Sequence, residues 1–319
     1  MNTMYPWLQL TWDHWRSLLS NDRVTGALLC QAPEGLGVEQ LADKFARALV
    51  CSNATDEACG FCHSCDLSKS GSHPDIHKIV PEKEGKSIVV DQIRQANRWA
   101  LESSQLGGKR LIIIRPAEAM NESASNALLK TLESPAENCV FLLMSTDRHK
   151  LLPTIVSRCQ QWDVAIPEFD DAMSWLHQHA ELPVSELALQ LSHGAPLAAL
   201  AFTRDGQEKQ FDALLNSLSL QLSSAIPSYH NFWSTIKDQP IERLGWLSFL
   251  LVHVQKDFFT QEPSTYSEPI TKWVSYDLAY KKTRQLNQLI HRLKLFPGLN
   301  AELLVADWFL DLHEKKNVC

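Results

Sequence analysis

The sequence predicts an α/β domain built on a parallel sheet, followed by a small helical domain and a larger all-helical one. Three observations carry this. Short apolar runs alternate with helical spacing through the first half of the chain, as in a parallel sheet with helices on both faces. A turn bearing Gly35 and Gly37 separates the first apolar run from the first helix. After Pro167 the strand-like runs stop and the remaining patterns are helical.

Taken in order, Gly26–Gln31 is an apolar strand and Val38–Val50 has helical spacing at Leu41, Phe45, Ala48 and Leu49. Asp75–Val80 reads as a strand, and Asp91 as the N-cap of a helix carrying Ile93, Ala96, Trp99 and Ala100. Leu111–Ile114 and Cys139–Met144 are buried-strand signals, with helical Ser123–Leu132 between them. Helices are then expected over Asp170–His179, Ser185–Ser192, Lys209–Leu222, Glu242–Phe259, Lys281–Leu295 and Asn300–Glu314. Gly194–Pro196 and Asp205–Gly206 are breaks among them.

Composition narrows the class. The chain has 319 residues, 45% hydrophobic and 21% charged, which fits a globular protein of two or three domains. Its net charge of −7 lacks the basic bias of a free-standing nucleic-acid binder, so any DNA contact is expected to be local or shared with partners. The opening residues, with Asp13, His14 and Arg16, do not have the layout of a signal peptide. No run reaches the ~18 apolar residues of a membrane helix, since Ser248 and His253 interrupt Leu244–Val254. The expected compartment is the cytoplasm.

A phosphate-binding P-loop needs G-x-x-x-x-G-K-[ST], whose Lys meets the β/γ-phosphates and whose hydroxyl holds Mg²⁺. Here Gly35 and Gly37 stand in the turn, but Val38 replaces the Lys and Glu39 the hydroxyl. The acidic pair expected after the next strand is also missing, because Ile114 runs into Arg115-Pro116, with Glu118 displaced. An apolar residue, a carboxylate and a guanidinium cannot do the work of that set. Cys51, Cys59, Cys62 and Cys65 offer four thiolates with the clustering of a closed, structural Zn²⁺ site; Cys30, Cys139, Cys159 and Cys319 are scattered. The last block is a helix, Asn126-Ala127-Leu128-Leu129-Lys130-Thr131-Leu132-Glu133-Ser134-Pro135, then a strand and Ser157-Arg158-Cys159. By itself Arg158 reads as one half of a surface ion pair.

Together these blocks resemble the clamp-loader branch of the AAA+ ATPases, which includes the bacterial gamma-type subunits and replication factor C. The N-A-L-L-K-T-L-E-x-P helix, the Ser-Arg-Cys motif and cysteines after the P-loop helix occur here in that branch's order. The resemblance implies an AAA+ P-loop domain over 1–166 with a zinc insertion at about 51–65, a helical lid at 167–206 and a helical collar at 207–319. Leu197 stands in the lid motif where a sensor Arg is expected in active members. The implied function is a non-hydrolysing subunit of the DNA polymerase III clamp loader, part of a nucleotidyltransferase holoenzyme. It would assemble with gamma/tau and delta subunits to load the sliding clamp onto primed DNA. Structural Zn²⁺ is the implied cofactor, no functional ATP site of its own is expected, and Arg158 is offered in trans as an arginine finger.

Two other readings compete. A gamma-like motor ATPase is opposed by Val38, Glu39 and Arg115, and a zinc-ribbon nucleic-acid module by the charge of −7 and by a cluster set inside an α/β domain. In the last domain Phe232, Trp233, Trp246, Phe249, Leu250, Phe258, Trp273, Trp308 and Phe309 are expected mainly as core. Lys281, Lys282, Arg284, His291, Arg292 and Lys294 are expected as a solvated helix face.

Overall fold

Five strands, β1 (Gly26–Gln31), β2 (Ile76–Ile79), β3 (Arg110–Ile114), β4 (Cys139–Ser145) and β5 (Gln160–Asp163), pair in the order β2-β3-β4-β1-β5, every pair parallel. This is a computed structural model, and it describes residues 4–24, 26–53, 56–83, 85–260, 264–296 and 298–316; Cys319 lies outside them. The chain divides into two compact units, Met1–Leu176 with Gly194–Ala198, and His177–His193 with Ala199–Cys319.

In the first unit the helices are α1 (Gln9–Ser20), α2 (Val38–Val50), α3 (His63–Lys69), α4 (Val90–Leu101), α5 (Glu122–Glu133), α6 (Pro153–Val156) and most of α7 (Phe169–His179). The central strands are apolar throughout because both of their faces are covered. Leu28 and Cys30 of β1 join Leu111, Ile113, Val140 and Leu142 in a core with Trp12 and Trp15 of α1 and Leu41 and Phe45 of α2. The alternate residues Ala27 and Leu29 join Ile112, Ile114, Phe141 and Leu143 in a second core with Ile93 and Ala96 of α4 and Leu128 of α5. Period-two alternation thus feeds two cores from one strand.

Two boundary details differ from expectation. The chain is already helical at Val90, so Val89 is the N-cap of α4, and its N–H donates to Gln92 Oε1 at 3.0 Å. Asp91 sits instead in the first turn, where a carboxylate suits the helix dipole, and pairs with Arg94 at 2.9 Å. Neither α1 nor β5 has a plain sequence signal. Gln160-Gln161-Trp162-Asp163 is polar because β5 is an edge strand paired only with β1.

The second unit contains α8 (Glu186–Leu191), most of α9 (Pro196–Arg204), α10 (Gln207–Ser223), α11 (Tyr229–Ser234), α12 (Pro240–Thr260), α13 (Glu268–Thr271), α14 (Tyr276–Leu295) and α15 (Ala301–Glu314). Phe232, Trp246, Leu250, Trp308 and Phe309 are buried as expected, whereas Phe258 is exposed. Lys282 corrects the reading of α14 as carrying only solvated bases. It is 1% exposed, donating to the Trp308 carbonyl at 3.0 Å and the Asp311 carboxylate at 2.6 Å, so it ties α14 to α15. The other bases of that cluster are exposed. Among the described residues no helix is long and apolar enough to cross a membrane.

Candidate functional site: a glycine-turn cleft, four cysteines and an outlying arginine

A cleft of about 780 Å³ opens outside the carboxyl ends of the strands, where open α/β sheets place their ligand sites. Its walls include Gly35, Glu39, Arg115, Ser145 and Thr146. Gly37, at φ +69°, is the N-cap of α2 and Gly35 has φ +82°, so both use backbone conformations that L side chains rarely adopt.

The turn is covered by the unit's own side chains. A Cβ on Gly35 would lie 2.5 Å from the Ala198 Cβ, and one on Gly37 would lie 2.8 Å from Leu197 Cδ1 and against the Tyr5 ring. The Leu197 N–H donates to the Gly35 carbonyl at 3.0 Å, and Trp7 Nε1 donates to the Leu36 carbonyl at 2.8 Å. Tyr5 stacks on Trp7 with ring centroids 5.1 Å apart, and Trp175 meets both edge-on. Leu197, noted in the sequence for replacing an Arg, thus packs on the glycine turn.

Glu39 and Arg115, each noted as wrong for Mg²⁺, lie together, with Arg115 Nη2 2.8 Å from Glu39 Oε1. Pro116 follows Arg115, and Glu118 turns back to accept from the Thr146 N–H at 2.9 Å and its hydroxyl at 2.5 Å. Val38 adds only hydrocarbon to the helix start. Cys30 also lines the cleft, but burial, helped by Asp163, pushes its thiol up to about 12. It is a thiol, not a nucleophile, at neutral pH.

Cys51, Cys59, Cys62 and Cys65 converge, their sulfurs all within 4.8 Å of one another. Cys51 Sγ is 3.8 Å from Cys62 Sγ, and Cys59 Sγ is 3.9 Å from Cys65 Sγ. A tetrahedral ion with bonds of ~2.3 Å separates its sulfurs by about 3.8 Å. The four thiols therefore fit Zn²⁺ in spacing and in chemistry. Cys51 follows α2 directly, and the N–H of Cys59 donates to its sulfur at 3.4 Å. Glu57, between the first two cysteines, accepts from Trp12 Nε1 at 3.2 Å and pairs with Lys44 at 3.2 Å, fixing the loop to α1 and α2.

Arg158 does not line the cleft. β5 begins two residues later, in register with Leu28, whereas the part of β1 that lines the cleft is Cys30, nearer its carboxyl end. Arg158 thus sits towards the amino ends of the strands, between the buried Ile155 and Cys159, and is itself exposed. Its Nη2 meets Glu133 Oε1 at 2.6 Å, and its Nη1 donates to the Thr154 carbonyl at 3.0 Å. In the sequence Glu133 stands within the Asn126–Pro135 motif, and its signal is positional: a carboxylate in the last position of a helix opposes the helix dipole and calls for a cation from elsewhere.

Known proteins bear on this arrangement. A family model described as DNA polymerase III, delta subunit, matches residues 8–168. The DNA polymerase III subunit delta' of Haemophilus influenzae is 38% identical over 66% of this chain, and the match spans 66% of that protein's length, just under two thirds. The DNA polymerase III subunit delta' of Yersinia pestis is 32% identical over 96% of this chain and 94% of its own. Among solved structures, a gamma subunit-related protein of DNA polymerase III from Thermotoga maritima aligns over 96% of this chain and 99% of its own, with a TM-score of 0.45 and 17% identity.

Proposed function

We propose, from the premise that the chain belongs to the delta' family of DNA polymerase III subunits, that it is the non-hydrolysing member of the clamp loader. In this reading it assembles with gamma/tau and delta subunits, and through the assembly acts on the sliding clamp and primed DNA. Its own cleft is structural, and its chemistry is exported through Arg158.

The observation that carries this reading is the opposition of the two ends of the sheet. At the carboxyl end Glu39 and Arg115 neutralise each other where an ATPase keeps its Mg²⁺ ligands, and Leu197 and Tyr5 pack on the turn meant for phosphates. At the amino end Arg158 faces solvent on a surface away from that cleft. In this reading an arginine on that surface meets a nucleotide held by a neighbour. An arginine finger supplied in trans is worth ~10³–10⁵ in rate, about 4–7 kcal/mol, by stabilising charge on the transferring phosphoryl group. The four cysteines would hold one Zn²⁺, which contributes folding free energy to a loop without a core of its own.

The test is reconstitution of the complex with wild-type or Arg158→Ala chain, reading DNA-stimulated ATP hydrolysis at saturating ATP. The variant should assemble normally and lower the rate. Neighbours that receive arginines from one another will keep part of the activity, so the loss will be smaller than the full finger effect. Equal rates with equal assembly would remove Arg158 from the mechanism.

A further inference from the structure

We infer that Glu133 is the positioning residue for Arg158, holding its guanidinium in the orientation that a neighbour's phosphate meets; this rests on the trans role proposed for Arg158. The Glu133–Arg158 contact joins the last residue of α5 to the segment between α6 and β5, so it fixes the arginine from an element outside its own loop.

Arginine is a long side chain whose rotamers are costly to order. Here two of its five N–H donors are committed within the chain, one to Glu133 Oε1 at 2.6 Å and one to the Thr154 carbonyl at 3.0 Å. Two anchors on different nitrogens fix the plane of the guanidinium, and three N–H groups remain for an outside acceptor. The position of Glu133 favours this role over a helix-stabilising one. A carboxylate at the C-terminal residue of α5 is repelled by the helix carbonyls, and the Arg158 cation offsets that repulsion. Both flanks of the arginine are held, since Ile155 is fully buried and Cys159 is 8% exposed. With the backbone fixed by the core and the side-chain plane fixed by Glu133, the fork is ordered before a phosphate arrives.

A positioning carboxylate differs from a restraining one in sign. Once the fork is oriented, a bound phosphate uses the free N–H groups, and Glu133 keeps its own. Removing it leaves Arg158 present but mobile, and the loss falls on the chemical step and not on nucleotide binding. A misplacement of about 1 Å costs up to ~10²-fold, so a loss of about tenfold is expected at the site that Arg158 serves. Glu133→Gln keeps an acceptor oxygen at the same reach and should retain more activity than Glu133→Ala.

The experiment uses the reconstituted complex with wild-type, Glu133→Gln, Glu133→Ala, Arg158→Ala and Glu133→Ala/Arg158→Ala chains, and reads kcat and KM for DNA-stimulated ATP hydrolysis. The expected result is a lower kcat with little change in KM for Glu133→Ala, partial rescue by Gln, and a double variant no slower than Arg158→Ala alone. In the free chain, NMR of the Arg158 guanidinium should show hindered rotation that Glu133→Ala releases. A Glu133→Ala rate equal to or above wild type, while Arg158→Ala is slow, would overturn the positioning role and leave the arginine's role standing. Additive losses would overturn it too, since Glu133 would then act apart from Arg158. An Arg158→Ala rate equal to wild type would remove both roles together.

Discussion

Arg115, directly after β3, and Glu39, in the first turn of α2, meet at 2.8 Å in the cleft. Each reads in the sequence as a loss, and together they are a charge exchange that leaves the cleft locally neutral. Because both are about half exposed, the pair is worth only ~0.2–1 kcal/mol. A double-mutant cycle of Glu39→Gln and Arg115→Gln, followed by urea unfolding, should return a coupling energy in that range. The isolated chain should also hydrolyse no ATP above background, with or without primed DNA. A turnover that disappears on changing Gly37 would show that the cleft still works as an ATPase.

The glycine turn makes a steric prediction. Gly35→Ala should destabilise the first unit by about 1–3 kcal/mol through overpacking, since the new Cβ would lie 2.5 Å from the Ala198 Cβ and 2.7 Å from its backbone nitrogen. Ala198→Gly in the same chain should return only part of this, because the backbone contact and the φ of +82° remain. Full recovery would mean that the methyl–methyl contact is the whole cost.

Zinc removal should unfold the segment around Cys51–Cys65 while the sheet keeps its structure. Metal binding in small structural sites carries ~10–16 kcal/mol of apparent free energy at neutral pH. Protein prepared without chelator should contain one zinc per chain, and Cys59→Ser with Cys62→Ser should contain none. Zinc retained by that double variant would point to other ligands.

Asp75 and Arg110 set a pH dependence. Both are buried, at 0% and 2% exposed, with Arg110 Nη2 3.1 Å from Asp75 Oδ1. Burial alone would raise the Asp75 carboxyl, but the N–H groups of Gln105 and Leu106 and the Arg110 guanidinium hold it below the usual value. A folded-state value below the unfolded one gives stability that is present above ~3.9 and is lost as pH falls towards the folded value. Wild-type and Asp75→Asn chains should therefore converge in stability below about pH 4. Arg110→Ala should cost about 3–5 kcal/mol at pH 7, because it leaves a buried carboxylate without its cation. A cost under 1 kcal/mol would mean that water reaches Asp75.

Much of the architecture was legible because it rests on local periodicity. Val38–Val50 is helical at the expected bounds, and Leu111–Ile114 and Cys139–Met144 lie within strands. The edge strand β5 was not legible, since a strand with one neighbour and polar residues carries no apolar run. The cysteine cluster was legible from spacing, because Cys51, Cys59, Cys62 and Cys65 all fall on one short stretch of chain, so that local geometry alone brings the four thiols together. Contacts between distant positions were not. Glu39 and Arg115 are 76 positions apart and Glu133 and Arg158 are 25 apart, so each appears in the sequence as a lone charge. Lys282 carries the same lesson, since its burial against Trp308 and Asp311, both far off in sequence, distinguishes it from its solvated neighbours.

The packing of Tyr5, Leu197 and Ala198 on the glycine turn has a thermodynamic consequence. A ligand that binds only the folded state adds RT ln(1 + [L]/Kd) to its stability, so an ATPase subunit is tied by mass action to the nucleotide around it. A glycine turn packed against its own chain is expected to have no such term. The melting temperature of this chain should then be the same in ATP, in ADP and in neither, so that its stability is uncoupled from the nucleotide around it.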